Sequence, residues 1–157
     1  RKEYLDGSEA GSRKWHFDHE DIHTLRVKVY FTDVLTNEDG PFEYIPRSIL
    51  SDRRMVEDML TNSEMEALVP KQHWKTCLGP AGTVVFASVS RIAHHGSIPE
   101  TPRICASYYY TSRTPHQPDL CKAFSFESGI SSLNVSLTQR QYDSLWDYRE
   151  LFTGTVR

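Results

Sequence analysis

Residues 24–34 read TLRVKVYFTDV, and this stretch decides the fold class of the chain. Two kinds of side chain alternate along it, with the period of two that is typical of a β-strand and not of a helix. One face carries Leu25, Val27, Val29 and Phe31, and the other carries Arg26, Lys28, Tyr30 and Thr32. The stretch therefore predicts a strand whose two faces meet different surroundings.

Further segments with the composition of β-strands follow along the chain. They are rich in β-branched and aromatic residues, and turns such as GPAG (79–82) separate them. The predicted strands are PFEYIP (41–46), HWKTCL (73–78), TVVFASV (83–89) and RICASYYYTS (103–112). The composition of residues 83–89 predicts a buried strand, whereas HHGSIPETP (94–102) predicts a loop.

Helices are expected at two places only. Apolar residues at helical spacing within 49–69, with a capping box of Ser63 and Glu66, predict one or two short helices. A C-terminal helix is predicted from the apolar stripe Leu137, Tyr142, Leu145, Trp146 and Tyr148. We therefore expect a mainly β fold, a double-stranded β-helix (jelly roll or cupin-like) with a few flanking helices.

The size and charge of the chain exclude several classes of protein. Its 157 residues predict a single domain over residues 1–157. The net charge of −3 gives no basic footprint for nucleic acid, and no apolar run approaches the roughly 18 residues that span a membrane. Three cysteines without a CxxC motif argue against a thiolate zinc site and favour a reducing, cytoplasmic location. We expect neither nucleic acid nor a membrane as a partner, and the oligomeric state stays open.

A candidate metal site begins in WHFD, residues 15–18. On a strand His16 and Asp18 project to the same face, with Cα atoms roughly 6.6 Å apart. An imidazole and a carboxylate are two members of the 2-His-1-carboxylate triad of non-heme Fe(II) oxygenases, which leaves metal positions open. The third member must be a histidine from elsewhere, and His94 and His95 are both candidates. HxD also arises by chance in many proteins. The motif therefore indicates a metal site only if the remaining residues of such a site are present.

Arg103 is a candidate for binding an anionic co-substrate. It stands at the start of a predicted strand, and the planar fork of an arginine can bind both oxygens of a carboxylate. The alternative is an arginine at a strand end that keeps its charged head in solvent.

Four blocks of the sequence together resemble the phytanoyl-CoA dioxygenase family of Fe(II)/2-oxoglutarate oxygenases. They are WHFD (15–18), RVKVYFTDVLTNEDGPFEYIPRS (26–48), GTVVFASVSRIAHHGS (82–97) and RICASYYYTS (103–112). The matching family segments carry WHxD, an acidic turn before a PGSH-type ending, the distal histidine, and the arginine for the co-substrate. The order and spacing of the blocks, over about residues 14–112, are more specific than any one block.

The resemblance implies a role for each matching residue. His16 and Asp18 would be iron ligands. The distal ligand would be His94 if the H-x-G form of the motif applies, or His95 if the H-G-S form applies, and the spacing to Arg103 favours His94. Arg103 would pair with the distal carboxylate of 2-oxoglutarate.

Lys28 occupies a strand position that in this family often faces inward and helps to hold the co-substrate, and a solvent-facing lysine is the alternative. The implied reaction uses Fe(II), 2-oxoglutarate and O₂ to oxidise a C–H bond of a small-molecule substrate, with release of succinate and CO₂. Asp18 favours hydroxylation, or another C–H oxidation such as desaturation or cyclisation, because related halogenases lack this carboxylate.

Two other functions fit the same residues. One is a cupin-like metal enzyme that does not use 2-oxoglutarate and does not need Arg103. The other is a catalytically degenerate jelly-roll binding domain. The chain also departs from the family: Pro46-Arg47-Ser48 replaces PGSH, and only 14 residues precede WHFD. We therefore expect N-terminal elements of the domain to be missing.

Overall fold

The structure is a computed structural model that describes residues 7–52, 56, 58–112 and 114–121, and β-strands are its main regular elements. The strands are β1 (Leu25–Tyr30), β2 (Phe42–Ile45), β3 (Lys75–Cys77), β4 (Val84–Ala87), β5 (Ala93–Gly96) and β6 (Cys105–Tyr110). They form two antiparallel sheets of three strands, in the orders β4-β1-β6 and β3-β2-β5. The prediction of a mainly β fold is confirmed.

The chain passes back and forth between the two sheets, and contacts across the interior tie them together. The Tyr30 hydroxyl on β1 donates to the carbonyl of Cys77 on β3 and accepts from the N–H of Phe42 on β2. Ahead of β1, His16 forms a bridge to His94 on β5. Two facing sheets wound in this order enclose a shared interior, as in a jelly roll. The expected double-stranded β-helix is confirmed.

The interior face of β1 is its polar face. Arg26, Lys28 and Tyr30 are buried, whereas Leu25 and Phe31 on the opposite face are 40% and 58% exposed. Buried polar groups need partners. Tyr30 finds them on β2 and β3, and Arg26 finds them on β6 and on the segment before β1. The solvent-facing alternative for Lys28 therefore does not hold.

Two local predictions were wrong. Residues 83–89 do not form a uniformly buried strand, because alternate side chains of β4 point outward and Phe86 is 69% exposed. The predicted loop at 94–102 begins inside strand β5, where His94 and His95 pair with β2. Pairing partners that lie about 50 residues away along the chain are invisible to local composition.

A hydrophobic core covers the side of the β3-β2-β5 sheet that faces away from the interior. It consists of Trp15, Phe17, Ile45, Leu50, Val56, Met65, Val69 and Ala93. Trp15 and Phe17 turn into this core, so the alternation of a strand turns His16 and Asp18 to the other side. Burial of two large aromatic side chains thus orients the two polar ones.

The helix α1 spans Asn62–Leu68, inside the region where a short helix was predicted. Its capping box is formed by Thr61 and Glu64, two residues before the predicted pair Ser63 and Glu66. The Thr61 hydroxyl accepts from the N–H of Glu64 at 3.3 Å, and the Glu64 carboxylate accepts from the N–H of Thr61 at 2.7 Å. This cap satisfies two backbone donors of the first turn.

The remaining helices of the described residues are short. They are 3-10 helices at Gly11–Arg13, Asn37–Asp39, Lys71–His73 and Pro118–Leu120. Within the described ranges, none of the helices has the length and apolarity needed to cross a bilayer. The C-terminal helix predicted from Leu137 to Tyr148 lies outside the described residues.

Candidate metal centre

The pairing of His16 with His94 builds the centre of the site. The N–H of each residue donates to the carbonyl of the other at 3.0 Å, so the two are direct antiparallel partners. Side chains of such partners lie on the same face, and the two imidazole rings are 4.4 Å apart. Asp18, two residues beyond His16, joins them on that face.

Three potential ligand atoms converge at this point. Asp18 Oδ1 lies 3.3 Å from His16 Nε2 and 3.5 Å from His94 Nε2. All three atoms lie within 4.8 Å of one another, and all three residues are buried. His94 Nε2 makes no hydrogen bond within the described residues although it is buried. Two imidazoles and one carboxylate in this arrangement fit a divalent metal ion, which would satisfy the unpartnered nitrogen.

His16 and His94 both direct the unprotonated nitrogen, Nε2, toward Asp18, as metal binding requires. His16 Nδ1 lies 2.7 Å from the carbonyl oxygen of Lys14, and His94 Nδ1 lies 3.2 Å from that of Ile92. Because a carbonyl only accepts, each Nδ1 carries the proton and donates it. The lone pair is then on Nε2, which faces Asp18. A second hydrogen bond of this kind orients most metal-ligating histidines.

The surroundings favour the protonation states that a metal site needs. Burial by itself would raise the pKa of Asp18, but the contacts with His16 and His94 and the charge of Arg26 hold it well below its usual range. Burial lowers the pKa of His94 to about 4, although Asp18 opposes this shift. At neutral pH the site therefore presents a carboxylate and a neutral imidazole, the forms that bind metal.

Arg26 also belongs to the site, a role that the sequence analysis missed. Its Nη2 donates to Asp18 Oδ2 at 2.7 Å. The same nitrogen donates to the hydroxyl of Tyr109, whose ring lies under the guanidinium, 4.2 Å from Cζ to the ring centroid. The alternation of β1 placed Arg26 on the polar face, but nothing in the local sequence connects it with Asp18.

His95 lies on the opposite face of β5 and is fully engaged there. Its Nδ1 lies 2.9 Å from the carbonyl oxygen of Arg13, and its Nε2 lies 2.8 Å from Glu43 Oε2. Its ring stacks on Trp15 with 4.0 Å between centroids. Of the two candidate histidines the structure therefore brings His94, and not His95, to His16 and Asp18.

We expect His95→Ala to lower stability while metal binding persists. The change removes the imidazole that contacts the largely buried Glu43 carboxylate. Breaking a buried ion pair costs about 3 kcal/mol of folding stability, which lowers the melting temperature of a chain of this size by roughly 6–12 °C. The matched variant His94→Ala should lose metal binding. Thermal unfolding and Co(II) titration of both variants check this. Loss of Co(II) binding in folded His95→Ala would reverse the assignment.

Arg103 and Lys28 bring two positive charges to the same interior. Arg103 Nη1 is buried and has no hydrogen-bond partner within the described residues. Its Nη2 lies 3.8 Å from the point where a Cβ of Gly96 would stand. Gly96 is two residues after His94 on β5, hence on the same face and roughly 6.6 Å further along the strand. The guanidinium thus lies beside Gly96, on the face of β5 that also carries the His94 side chain.

Lys28 is close to the same point. It is 7% exposed, and its Nζ lies 5.2 Å from the centroid of the Phe42 ring, while Phe42 is the register partner of Gly96. Burial, followed by the charge of Arg103, lowers the pKa of Lys28 to about 8. The buried Lys28 and the half-buried Arg103 disfavour each other's charge, and within the described residues neither forms an ion pair with a carboxylate. Two such cations are suited to hold an anion.

Comparisons with known proteins find partial structural similarity. No protein-family model and no curated protein sequence matches the chain. HygX from Streptomyces hygroscopicus, solved with nickel, 2-oxoglutarate and hygromycin B bound, is 15% identical with a TM-score of 0.40, over 57% of this chain and 36% of HygX. The apo form of HygX is 16% identical with a TM-score of 0.38, over 57% and 37%.

A further solved structure is SnoK, a non-heme α-ketoglutarate-dependent carbocyclase from nogalamycin biosynthesis. It is 19% identical with a TM-score of 0.46, over 79% of this chain and 52% of SnoK. The chain thus spans between about a third and a half of the length of these proteins.

Proposed function

We propose that the protein is an Fe(II)- and 2-oxoglutarate-dependent oxygenase that hydroxylates a C–H bond of a small-molecule substrate. The observation that carries the proposal is the convergence of His16 Nε2, Asp18 Oδ1 and His94 Nε2 in the buried interior, within 4.8 Å of one another. The resemblance of the four sequence blocks to the phytanoyl-CoA dioxygenase family supports the same activity.

The donor set favours Fe(II) over other metals. Two imidazole nitrogens and one carboxylate oxygen on one side of the ion leave the opposite positions open, as in the facial triad of non-heme iron oxygenases. His16, Asp18 and His94 would hold the ion. Bound Fe(II) and 2-oxoglutarate would supply the oxidative decarboxylation and the oxidation of the substrate C–H bond.

The residues beside the triad would bind the co-substrate. The Arg103 fork would take the distal carboxylate of 2-oxoglutarate, because Nη1 is buried without a partner and a carboxylate can receive both N–H groups. The ammonium group of Lys28 would contribute a second positive charge to the same dianion. His94 and Gly96 lie roughly 6.6 Å apart along β5, a separation that the five-carbon chain of 2-oxoglutarate would span.

Apolar packing would exclude water from this chamber. The Phe42 ring lies 5.4 Å from the His94 ring and 5.2 Å from Lys28 Nζ. Phe42, Ala87 and Val89 form a buried cluster, against which Tyr44, Cys77, Val85 and Ile92 pack. A low local dielectric strengthens the attraction between the cations and an anionic ligand.

The decisive experiment is an anaerobic titration of the purified protein with Fe(II) and then with 2-oxoglutarate. We expect the weak visible charge-transfer band of the chelate. Binding of Fe(II) without the band would favour a cupin-like metal enzyme that does not use 2-oxoglutarate. Folded protein that binds neither would be a degenerate binding domain, and the proposal would fail.

The pH dependence of 2-oxoglutarate binding should report on Lys28. Its pKa is lowered to about 8, so the ammonium is present below that pH and is lost as the pH rises through it. A bound dianion stabilises the ammonium, so the dissociation constant should rise above about pH 8, by up to about tenfold per pH unit. Calorimetric titration of Zn(II)-loaded protein between pH 6.5 and 9.5 measures this.

Lys28→Arg is the matched control for this profile, because a guanidinium stays charged throughout the range. We expect it to bind 2-oxoglutarate with little dependence on pH. If wild type and Lys28→Arg share one profile, Lys28 is not the titrating group.

A further inference from the structure

The two oxygens of Asp18 face different partners. Oδ1 faces the two Nε2 atoms of His16 and His94. Oδ2 accepts from Arg26 Nη2 at 2.7 Å, and the side chains of Arg26 and Asp18 are only 8% and 4% exposed. A charge-assisted hydrogen bond of this length in a buried place is among the stronger polar contacts of a protein.

Arg26 is itself held from its other side. Its register partner on β6 is Tyr109, which contributes both the hydroxyl that accepts from Nη2 and the ring that lies under the guanidinium. Arg26 Nε is buried and makes no hydrogen bond within the described residues. A buried donor without a partner lowers the stability of the fold. The position of the guanidinium is therefore not explained by its own hydrogen bonding alone. Tyr109 and Asp18 together leave it little freedom to turn away.

We propose that Arg26 is a positioning residue that confines Asp18 to a single-oxygen contact with the metal. The inference rests on the proposed metal site. A carboxylate can bind a metal through one oxygen or through both. Because Arg26 donates to Oδ2, coordination would fall to Oδ1, and the protein would then contribute three ligand atoms in place of four. The position kept free is needed for the 2-oxo acid and O₂.

The positive charge of Arg26 has a second consequence. A guanidinium beside the carboxylate withdraws negative charge from the site and repels a dication. Arg26 therefore lowers the affinity for the metal while it preserves the open positions. A residue that only orients a ligand acts differently, since its removal typically lowers metal affinity by roughly 10- to 100-fold.

The test uses the Co(II)-loaded protein, whose visible absorption changes in strength and position with the number of ligands. Arg26→Met removes the charge and both hydrogen bonds but keeps a long side chain. In this variant we expect a changed Co(II) spectrum, a Co(II) affinity no lower than that of wild type, and 2-oxoglutarate affinity lowered at least tenfold. Arg26→Lys can still donate to Oδ2 and should restore the wild-type spectrum.

Tyr109→Phe is the matched control. It removes the other hydrogen bond of the same nitrogen and leaves the contact with Asp18, so it should keep the wild-type Co(II) spectrum. If Arg26→Met kept the wild-type Co(II) spectrum and unchanged 2-oxoglutarate affinity, Arg26 would have only a structural role and would not position Asp18. A fall in Co(II) affinity in that variant would also overturn the inference. Wild-type protein that fails to bind Co(II) would instead overturn the proposed metal site, and with it this role.

Discussion

Asp18→Ala is expected to abolish metal binding. The change removes the single carboxylate of the triad and leaves the imidazoles of His16 and His94 beside the buried Arg26 cation, which repels a dication. We expect the affinity for Fe(II) to fall more than about 100-fold, since loss of a residue that only orients a ligand already costs roughly 10- to 100-fold. Anaerobic Fe(II) titration measures the effect.

The same substitution should destabilise the fold, and a second variant separates the two effects. Loss of the carboxylate that pairs with the buried Arg26 cation costs about 3 kcal/mol of folding stability, which lowers the melting temperature by roughly 6–12 °C. Asp18→Ala combined with Arg26→Met also removes the unpaired positive charge and should recover much of the lost stability. The double variant should still fail to bind Fe(II). If either variant bound Fe(II) as tightly as wild type, the proposed metal site would be wrong.

Arg103→Ala is expected to weaken 2-oxoglutarate binding by at least about 30-fold. It removes the two charge-assisted hydrogen bonds that we propose to the distal carboxylate, each worth about 1.5–3 kcal/mol. Fe(II) affinity should change little, because within the described residues no hydrogen bond or ion pair joins Arg103 to His16, Asp18 or His94. Calorimetric titration of Zn(II)-loaded protein with 2-oxoglutarate, and a separate metal titration, give the two affinities.

A conservative variant sharpens this second prediction. Arg103→Lys keeps the charge but loses the planar fork, so it should recover only part of the 2-oxoglutarate affinity. Equal losses of metal and 2-oxoglutarate affinity in Arg103→Ala would mean that the arginine acts on the structure and not on the co-substrate. Full affinity in Arg103→Ala would remove this residue from the proposed site.

Most of the correct predictions came from the alternation of polar and apolar side chains along short stretches of the sequence. The period of two in TLRVKVYFTDV separated Arg26, Lys28 and Tyr30 from the exposed Leu25 and Phe31, and these faces appear in the structure as the interior and the outside. The same rule placed His16 and Asp18 on one face. Such predictions depend on backbone geometry within a strand, which neighbouring residues determine.

The helix cap shows where local signals lose accuracy. Thr61 and Glu64 cap α1, two residues before the predicted pair of Ser63 and Glu66. Serine and threonine occur on both sides of this boundary, so the sequence indicates a helix start without placing it. Packing of Met65 into the core selects the register of the helix.

The sequence by itself determined the fold class, the separation of the side chains of β1 into two faces, and the position of His16 and Asp18 on one face, because each follows from periodicity over a few residues. Only the tertiary structure decided between His94 and His95, because neighbouring residues of a strand face opposite sides and the antiparallel pairing with His16 sets which one faces inward. It alone also joined Arg26 to Asp18 and brought Arg103 beside Gly96. These contacts cross between separate segments of the chain, and their geometry comes from the packing of the two sheets and not from any local pattern.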